Sequence, residues 1–342
     1  VKDVILLIPT YGKKLNNIKF ISEIASTHNG SEKYLKKLSK RILNGDSDFI
    51  KFQIFKNENL CHKSSKFYKG LKKIEIKQKI WRKIIAYSLK KKKVILEPFD
   101  DQSYKFCKSF KRKVFLKISS SEHDNLPMIE DGLKNFKKVF FNISGFNFKQ
   151  IFNLINRFKR YKKKIILMYG FQSFPSDPKD LRLSLIYDIK KKLNIDAGYA
   201  DHSLTDKIAP TYLLTAKAVD YGAIYIEKHV TFKRNEKKPD YISSFEPQTF
   251  DEYVNYFKKS YFIKFKKEIS LKEKKYCNVM GKFAFSNKNI FKGEVINFEK
   301  LKFLRASQKG ITRDEFSKIL KKKIYSSKNM KKDELFKKKF FK

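Results

Sequence analysis

The amino-acid sequence predicts an α/β fold, a TIM (β/α)8 barrel followed by a small β-rich C-terminal domain. Short apolar runs recur along the chain, amphipathic segments separate them, and the pattern changes after residue 265. Eight strand–helix units within about 250 residues match the usual size of such a barrel. A doubly wound open sheet would give the same alternation, so the count alone leaves both architectures open.

The predicted strands are apolar throughout rather than alternating with polar residues. Continuous hydrophobicity is what strands covered on both faces require. The eight runs are Phe20–Ala25, Phe49–Phe55, Val94–Phe99, Val114–Ser119, Val139–Ser144, Ile165–Gly170, Ala197–His202 and Ile224–Val230.

The segments between these strands carry apolar residues at helical spacing. We therefore assign residues 1–265 to the barrel domain. Its clearest predicted helices are Lys33–Leu43, Lys77–Leu89, Gln150–Phe158, Ala209–Val219 and, as the last one, Tyr253–Phe265.

A charged linker over residues 266–278 is predicted to lead into a second domain over residues 279–342. Three β-like pieces interrupted by glycine-containing turns precede a helix there. A domain of about 65 residues is near the size at which an isolated core is marginal, so we expect it to lean on the barrel or on a second subunit. The pieces are Phe283–Phe285, Val295–Ile296, Leu301–Leu304 and the helix Arg313–Leu320.

The chain is strongly basic, with 79 Lys and Arg against 35 Asp and Glu and a formal charge of +44. Such a charge would attract nucleic acid or an anionic membrane. The lysines are scattered in short runs between apolar segments, which favours a solvated, compositionally biased surface. We therefore do not expect nucleic acid as a partner. The alternative, a polyanion-binding protein on a barrel scaffold, would need lysines and aromatic residues clustered on one face.

Cysteine usage and hydropathy bear on the compartment. Cys61, Cys107 and Cys277 are odd in number and lack metal-ligand spacing, which favours a reducing environment. The apolar stretch Val4–Pro9 is shorter than a signal-peptide core or a membrane span. We therefore expect a cytoplasmic protein without membrane association.

Polar residues occur toward the C-terminal ends of the predicted strands, where a parallel barrel forms its active site. Charged residues inside apolar strands are costly to bury unless they are paired or bind a ligand. Their convergence on one mouth predicts a functional site. The residues are Glu23, Lys51, Gln53, Glu97, Lys117, Ser120, Glu122, Ser144, Gln172, His202 and His229.

Lys51 and Lys117 are the most informative of these residues, because a buried lysine is rare and needs an anionic partner such as phosphate or carboxylate. His202 and His229 end adjacent strands and would suit a divalent metal, although either could be a core histidine. His28 fits a ligand contact and a turn equally well. The sequence contains no P-loop, dinucleotide fingerprint or hydrolase elbow, which argues against nucleotide-driven chemistry.

In their order and spacing these residues resemble the sialic acid synthase family, which also makes legionaminic and pseudaminic acids. The similarity runs over nearly the whole chain, and its last segment resembles the C-terminal antifreeze-like (β-clip type) domain of that family. The matching motifs are Ser22-Glu23-Ile24, His28-Asn29-Gly30, Ile50-Lys51-Phe52-Gln53, Glu97-Pro98-Phe99-Asp100, Lys117-Ile118-Ser119-Ser120-Ser121-Glu122, Gln172-Ser173-Phe174-Pro175, Gly198-Tyr199-Ala200-Asp201-His202-Ser203, Glu227-Lys228-His229, Pro239-Asp240 and, in the tail, Phe283-Ala284-Phe285 with residues 289–305.

The resemblance implies condensation of phosphoenolpyruvate with an amino-sugar aldehyde and release of phosphate. It implies that His202 and His229 hold manganese or magnesium and that Glu122 and Glu23 are catalytic carboxylates. Phosphoenolpyruvate would then contact Lys51, Lys117, Ser120 and Gln172.

The resemblance also implies a sugar-binding set and a quaternary arrangement. Gln53, Phe174 and Asp240 would face the sugar. Arg305 would reach the sugar from the C-terminal domain of a neighbouring subunit, which implies a domain-swapped homodimer.

Several positions depart from the family pattern. We interpret them as signs of a divergent substrate, since the lysines and histidines are kept. Another phosphoenolpyruvate-dependent aldose synthase and a catalytically degenerate sugar-binding barrel remain alternatives. The departures are Glu97 for Thr, Gln172 for Asn, Phe174 for a hydroxylated aromatic residue, Ala200 and Ile143 for Ser, and Ala306 for Pro.

Overall fold

The computed structural model of the protein describes residues 18–172, 174–260 and 268–340. The apolar stretch Val4–Pro9, Ser173, the end of the last predicted barrel helix and the start of the predicted linker lie outside the described residues. The chain divides into two compact units, Val1–Ile263 and Lys264–Lys342.

The first unit is built on eight parallel strands. They are β1 (Lys19–Glu23), β2 (Phe49–Ile54), β3 (Lys93–Pro98), β4 (Phe115–Ile118), β5 (Val139–Asn142), β6 (Ile165–Tyr169), β7 (Asp196–Asp201) and β8 (Ala223–Val230). Each strand pairs with the next one in sequence, and β8 pairs in parallel with β1. This closure confirms the predicted TIM barrel and excludes the open doubly wound sheet. A further strand, β9 (Ser244–Phe245), pairs with β8.

Helices follow the strands and surround the barrel. They are α1 (Glu32–Leu43), α2 (Asn57–Leu60), α3 (Tyr68–Ile74), α4 (Gln78–Ser88), α5 (Asp101–Lys108), α6 (Leu126–Asn135), α7 (Phe148–Arg157), α8 (Ser184–Asp188), α9 (Ile208–Asp220) and α10 (Pro247–Asn255). The start of α10 is earlier than the predicted Tyr253, because Pro247 in the first turn supplies a start signal that the periodicity did not reveal.

Local signals fix the ends of other helices. The Ser31 side chain accepts a hydrogen bond from the backbone N–H of Tyr34 and begins α1. Asn147 and Gln150 form a capping box at the start of α7. These caps satisfy N–H groups that lack a partner inside the helix.

Apolar side chains fill both faces of the barrel wall. The larger core lies between the strands and the helices and includes Phe20, Leu96 and Leu167. A separate cluster consists of inward-facing residues on alternate positions of the strands. This apolar cluster comprises Ile21, Phe49, Ile95, Phe140, Ile166, Met168 and Ala200, with Phe115 and Tyr225 packed against it.

The second unit is small and β-rich. Its elements are α11 (Leu271–Met280), β10 (Lys282–Ser286), β11 (Val295–Ile296), β12 (Leu301–Arg305), α12 (Arg313–Ile319) and β13 (Ile324–Tyr325). Strand β10 pairs antiparallel with β12, and β11 pairs antiparallel with β13. Helix α11 lies largely within the segment predicted as a linker. The unit has its own core around Ala284, Ile296 and Phe316.

Throughout the described residues, no helix combines the length and the apolarity that crossing a bilayer requires. Cys61, Cys107 and Cys277 are free thiols.

Candidate active site

Charged side chains enter the barrel interior two residues beyond the apolar cluster on five strands. Because side chains alternate along a strand, a residue two positions after an inward-facing one also faces inward. These positions lie toward the C-terminal ends of the strands, where parallel barrels form their active sites. None of the five residues is more than 3% exposed. We call them the charged cluster: Glu23, Lys51, Glu97, Lys117 and Glu227.

Lys51 contacts all three carboxylates of this cluster. Its Nζ lies 2.8 Å from Glu23 Oε1, 2.7 Å from Glu97 Oε2 and 3.1 Å from Glu227 Oε1. An ammonium group has three N–H donors, so these contacts use its full capacity. Burial disfavours the charged amine, but the carboxylates outweigh it and hold the pKa of Lys51 well above its ordinary value. The anionic partner expected for this buried lysine is therefore supplied by the chain itself.

Lys117 is less completely used. Its Nζ lies 2.6 Å from Glu227 Oε1 and 3.8 Å from Glu97 Oε1. The first contact is a short charge-assisted hydrogen bond, whereas the second is beyond hydrogen-bond distance. Lys117 therefore retains donors that an anionic ligand could use.

The charged cluster contains three carboxyl groups and two amines, and its carboxyl groups differ in acidity. Burial raises the pKa of Glu227, and Lys117 and Lys51 offset this only in part. Its Oε2 is buried without a hydrogen-bond partner among the described residues. Burial also disfavours ionised Glu23, but Lys51 and His229 outweigh it and hold the pKa of Glu23 well below the ordinary value. Glu227 is therefore the more readily protonated of the two.

Two buried histidines lie beside the charged cluster. The ring centroids of His202 and His229 are 5.2 Å apart. His229 Nε2 lies 3.4 Å from Glu23 Oε2. The half-exposed ring of Phe174 lies 4.5 Å from the His202 ring and stacks on the His229 ring at 5.8 Å. The predicted histidine pair and Phe174 are thus brought together.

The surroundings of each histidine set its protonation. His202 Nδ1 lies 2.9 Å from the carbonyl oxygen of Phe171. Because a carbonyl only accepts, Nδ1 carries the proton, and Nε2 of the neutral ring holds a lone pair. Burial and the neighbouring His229 lower the pKa of His202 to about 3. Burial opposes protonation of His229 as well, but Glu23 outweighs it and raises the pKa of His229.

The histidines were predicted to hold a divalent metal, and the donor set can be tested for fit. A neutral imidazole that donates its other N–H to a backbone carbonyl, as His202 does, is the usual form of a metal-binding histidine. Across residues 18–172, 174–260 and 268–340, no three His, Cys, Asp or Glu side chains converge in a metal-binding group. His202 has the form that metal binding requires, whereas His229 Nε2 lies 3.4 Å from Glu23 Oε2, so the metal site stays a prediction.

A second buried ion pair lies directly behind the histidines. Lys228 Nζ is 3.1 Å from Asp201 Oδ2 and 3.0 Å from the carbonyl oxygen of Ser203. Asp201 Oδ1 accepts hydrogen bonds from the Tyr199 hydroxyl and the Ser203 backbone N–H. Asp201 and Lys228 are partners in the β7–β8 pairing, each directly before a histidine. The pair therefore fixes the backbone positions from which the imidazoles project.

Gln53 joins the charged cluster, whereas Glu122 and Ser120 do not contact it. Gln53 Nε2 donates to Glu23 Oε1 at 2.7 Å. Glu122 and Ser120 lie in a single helical turn after β4, and the Glu122 carboxylate accepts from Asn125 Nδ2 at 2.9 Å. Both are partly exposed at the end of the strand that carries Lys117.

The other predicted contacts of the barrel lie in loops. Gln172 is exposed, and its Nε2 is 3.4 Å from Ser144 Oγ. Asp240 Oδ2 accepts from the backbone N–H of Ser26 at 2.9 Å, which ties two loops together. His28 Nδ1 accepts from the Gly30 N–H at 3.1 Å, which is the turn role that the sequence allowed.

Arg305 belongs to the second unit. It ends β12, is exposed, and pairs in register with Lys282 of β10. Its predicted contact with a sugar in a neighbouring subunit stays a prediction.

Glu227 and Lys228 were recognised within a motif, but their contacts were missed. The alternation of a strand supplies a signal for both. Glu227 shares a face with His229, so it had to enter the interior with the lysines, whereas Lys228 had to face the opposite side. The identity of the partners depends on barrel closure and strand register.

Comparisons with known proteins agree with this geometry. The model of the NeuB family matches residues 40–267. The chain is 29% identical over 336 residues to the N,N'-diacetyllegionaminic acid synthase of Campylobacter jejuni, covering 92% of this chain and 97% of that protein. It is 25% identical over 309 residues to a pseudaminic acid synthase of Campylobacter jejuni, covering 84% and 87%. The solved N-acetylneuraminic acid (sialic acid) synthetase of Leptospira borgpetersenii, in complex with citrate, is similar with a TM-score of 0.66 and 25% identity, covering 78% of this chain and 93% of that one.

Proposed function

This chain belongs to the NeuB family, and on that premise we propose that it condenses phosphoenolpyruvate with the open-chain aldehyde of an N-acetylated hexosamine. The product is a nonulosonic acid for surface carbohydrates, and phosphate is released. The observation that carries this proposal is the charged cluster beside two histidines at the C-terminal ends of the barrel strands. Buried lysines next to imidazoles are suited to an anionic substrate that reacts with a carbonyl.

Phosphoenolpyruvate binds, in this proposal, through its phosphate and carboxylate at the lysines. The unused donors of Lys117 make the first charge-assisted hydrogen bonds to the substrate. The positive charge of Lys51, whose side chain is 1% exposed, attracts the anion from nearby. Ser120 and Gln172 contribute polar contacts from the loops after β4 and β6. The anion is thereby oriented with its methylene carbon toward the histidines, which shortens the search for a reactive geometry.

The chemical step forms a carbon–carbon bond and breaks a carbon–oxygen bond. The methylene carbon attacks the aldehyde carbon, and the aldehyde oxygen takes up a proton to become a hydroxyl. Water then attacks the cationic carbon that bears the phosphate, and Glu122 accepts a proton from that water. The remaining proton of the added water leaves as the carbon–oxygen bond to phosphate breaks, which gives the keto acid. The two protons of the water thus balance the one on the new hydroxyl and the one on the released phosphate. Glu122 is suited to this role because it is partly exposed and lies one turn beyond the Lys117 strand.

In this proposal His202 and His229 hold a manganese or magnesium ion. When bound, such an ion supplies Lewis-acid polarisation of the sugar aldehyde. Glu23 holds His229 at 3.4 Å, and Gln53 holds Glu23 at 2.7 Å, so both orient the imidazole that faces the sugar. Phe174 covers the imidazoles, and Asp240 borders the site from the Ser26 loop.

The second unit, in this proposal, is an antifreeze-like domain that serves a neighbouring barrel in a domain-swapped homodimer. The exposed guanidinium of Arg305 is available for a sugar oxygen of the other subunit. The free cysteines suit a reducing cytoplasm.

Phosphate release tests the proposal. The full chain is incubated with phosphoenolpyruvate and a panel of N-acetylated hexosamines, with and without manganese. We expect stoichiometric phosphate release with at least one sugar and only in the presence of the metal. Release that is independent of sugar would indicate a phosphatase and would contradict the proposal.

A further inference from the structure

We propose that Glu97 sets the affinity for the donor substrate, because its carboxylate competes with phosphoenolpyruvate for Lys51 and Lys117. The inference rests on the proposed function and deepens it. All three donors of Lys51 face carboxylates, so a substrate oxygen can bind this lysine only by replacing one of them. Glu97 thereby sets how tightly the donor substrate is held.

The carboxylate of Glu97 faces both lysines of the cluster. Its Oε2 lies 2.7 Å from Lys51 Nζ, and its Oε1 faces Lys117 Nζ at 3.8 Å. The two oxygens of one carboxylate thus span the same pair of amines that a substrate phosphate or carboxylate would span. Glu97 is only 3% exposed, so it occupies this position inside the barrel rather than at its rim.

Glu97 is held less firmly than the other two carboxylates. Glu23 is also tied by Gln53 Nε2 at 2.7 Å and by His229 at 3.4 Å. Glu227 makes the shortest contact of the cluster, at 2.6 Å to Lys117. Over the described part of the chain, the polar contacts of the Glu97 carboxylate are those with the two lysines. A substrate oxygen can therefore replace the Glu97 carboxylate at the lysines, and no protein group other than the two lysines loses a contact.

The net charge of the cluster also opposes binding of an anion. Three carboxylates surround two amines, so the cluster carries a surplus negative charge when all five groups are ionised. An incoming phosphate and carboxylate would add to that surplus in a buried site, where charge repulsion is weakly screened. Replacing Glu97 with a neutral residue balances the protein charges. A side chain as short as threonine also frees one donor of Lys51, whereas glutamine leaves a weaker, neutral acceptor in its place.

The test is direct binding to the full chain, with Glu97→Gln and Glu97→Thr as variants. Glu130→Gln is the matched control, because Glu130 pairs with Lys134 and Arg160 on the exposed side of α6, away from the barrel interior. Calorimetric titrations with phosphoenolpyruvate, and with inorganic phosphate as a second probe, are made without sugar. Melting curves establish that each variant is folded, and the second substitution serves if the first one fails to fold.

We expect Glu97→Thr to bind phosphoenolpyruvate about tenfold more tightly than the parent chain, which is the effect of one additional charge-assisted hydrogen bond to the substrate. Glu97→Gln should also bind more tightly, by a smaller factor, because it removes the negative charge but keeps an oxygen that accepts from Lys51. Glu130→Gln should bind like the parent. In turnover assays the KM for phosphoenolpyruvate should fall while the KM for the sugar stays constant. Parent-like or weaker binding in folded Glu97 variants would overturn the inference alone. If neither the parent nor any variant binds phosphoenolpyruvate, the proposed function fails and this inference fails with it.

Discussion

Two clusters of side chains lie in the interior of the barrel, one apolar and one charged. On the strands that carry both, the charged residue follows the apolar residue by two positions. The apolar cluster contains Phe49, Ile95 and Phe140 and is packed as a hydrophobic core. The charged cluster begins at the next inward positions, with Lys51 and Glu97. Burial stabilises the first, whereas the second is tolerated only because each charge has a partner.

This difference separates folding from function within one set of strands. Hydrophobic residues of suitable size are enough to close the barrel, so nothing in the packing requires lysine or glutamate inside it. A buried ion pair is often no more stabilising than apolar residues of similar volume. We therefore propose that the charged cluster serves ligand binding and the apolar cluster serves folding.

The largest expected effect comes from the histidines beside the charged cluster. The double variant His202→Ala, His229→Ala should lose metal-dependent turnover by at least about a hundredfold, because a bound cation contributes several kcal/mol to the transition state. The melting temperature should change little by comparison, since the barrel core is elsewhere. Isothermal titration with manganese and steady-state rates measure the two effects. Full metal-dependent activity in the double variant would remove both residues from the proposed metal site.

Substituting one residue of each cluster, in separate variants, compares their effects on substrate binding and on stability. Lys117→Met should raise the KM for phosphoenolpyruvate by about 10- to 150-fold, since a hydrogen bond to a charged group contributes about 1.5–3 kcal/mol. Phe140→Ala should instead reduce the free energy of unfolding by about 3–5 kcal/mol and leave that KM unchanged. Urea unfolding and initial rates separate the two results. A KM that is unchanged in Lys117→Met would place the anion site elsewhere.

The architecture was predictable from the sequence because continuous apolar runs are a local property of the chain. The predicted run Phe49–Phe55 and the observed strand Phe49–Ile54 agree almost to the residue. The two-residue strand β9 carries too little periodicity to be found. Helix α11 was missed because its charged composition resembles that of a linker.

The site was predictable in its residue types but not in its pairings. A lysine inside an apolar strand indicates a buried anion, and Lys51 contacts three buried carboxylates. That these anions belong to the chain depends on which strands face each other across a closed barrel. Glu227, from the eighth strand, contacts lysines of the second and fourth strands. Such contacts require the three-dimensional arrangement.

A smaller effect is expected from the pH dependence of stability, where a buried neutral group contrasts with the charged cluster. Burial lowers the pKa of His28 from 6.5 to about 4. Between these values the unfolded chain binds a proton that the folded chain does not, so stability is lost as the pH falls. The protonated Nδ1 could not accept from Gly30.

The substitution His28→Gln removes this titration. We expect the parent chain to lose up to about 2 kcal/mol more than the variant between pH 7 and pH 5. Urea unfolding at both pH values measures the difference. Because the pKa of Glu23 is lowered below its ordinary value, its own contribution is lost only at more acidic pH and does not enter this window. Equal losses in parent and variant would contradict the assignment to His28.

In the function proposed here, the charged cluster and the histidines together join a three-carbon donor to a sugar aldehyde. The most direct test is mass spectrometry of the product formed from phosphoenolpyruvate labelled with carbon-13 at all three carbons and an N-acetylated hexosamine. We predict one product that carries the sugar and all three labelled carbons, with one phosphate released per product molecule. Labelled pyruvate formed together with phosphate, and no labelled sugar acid with any aldose of the panel, would contradict the account.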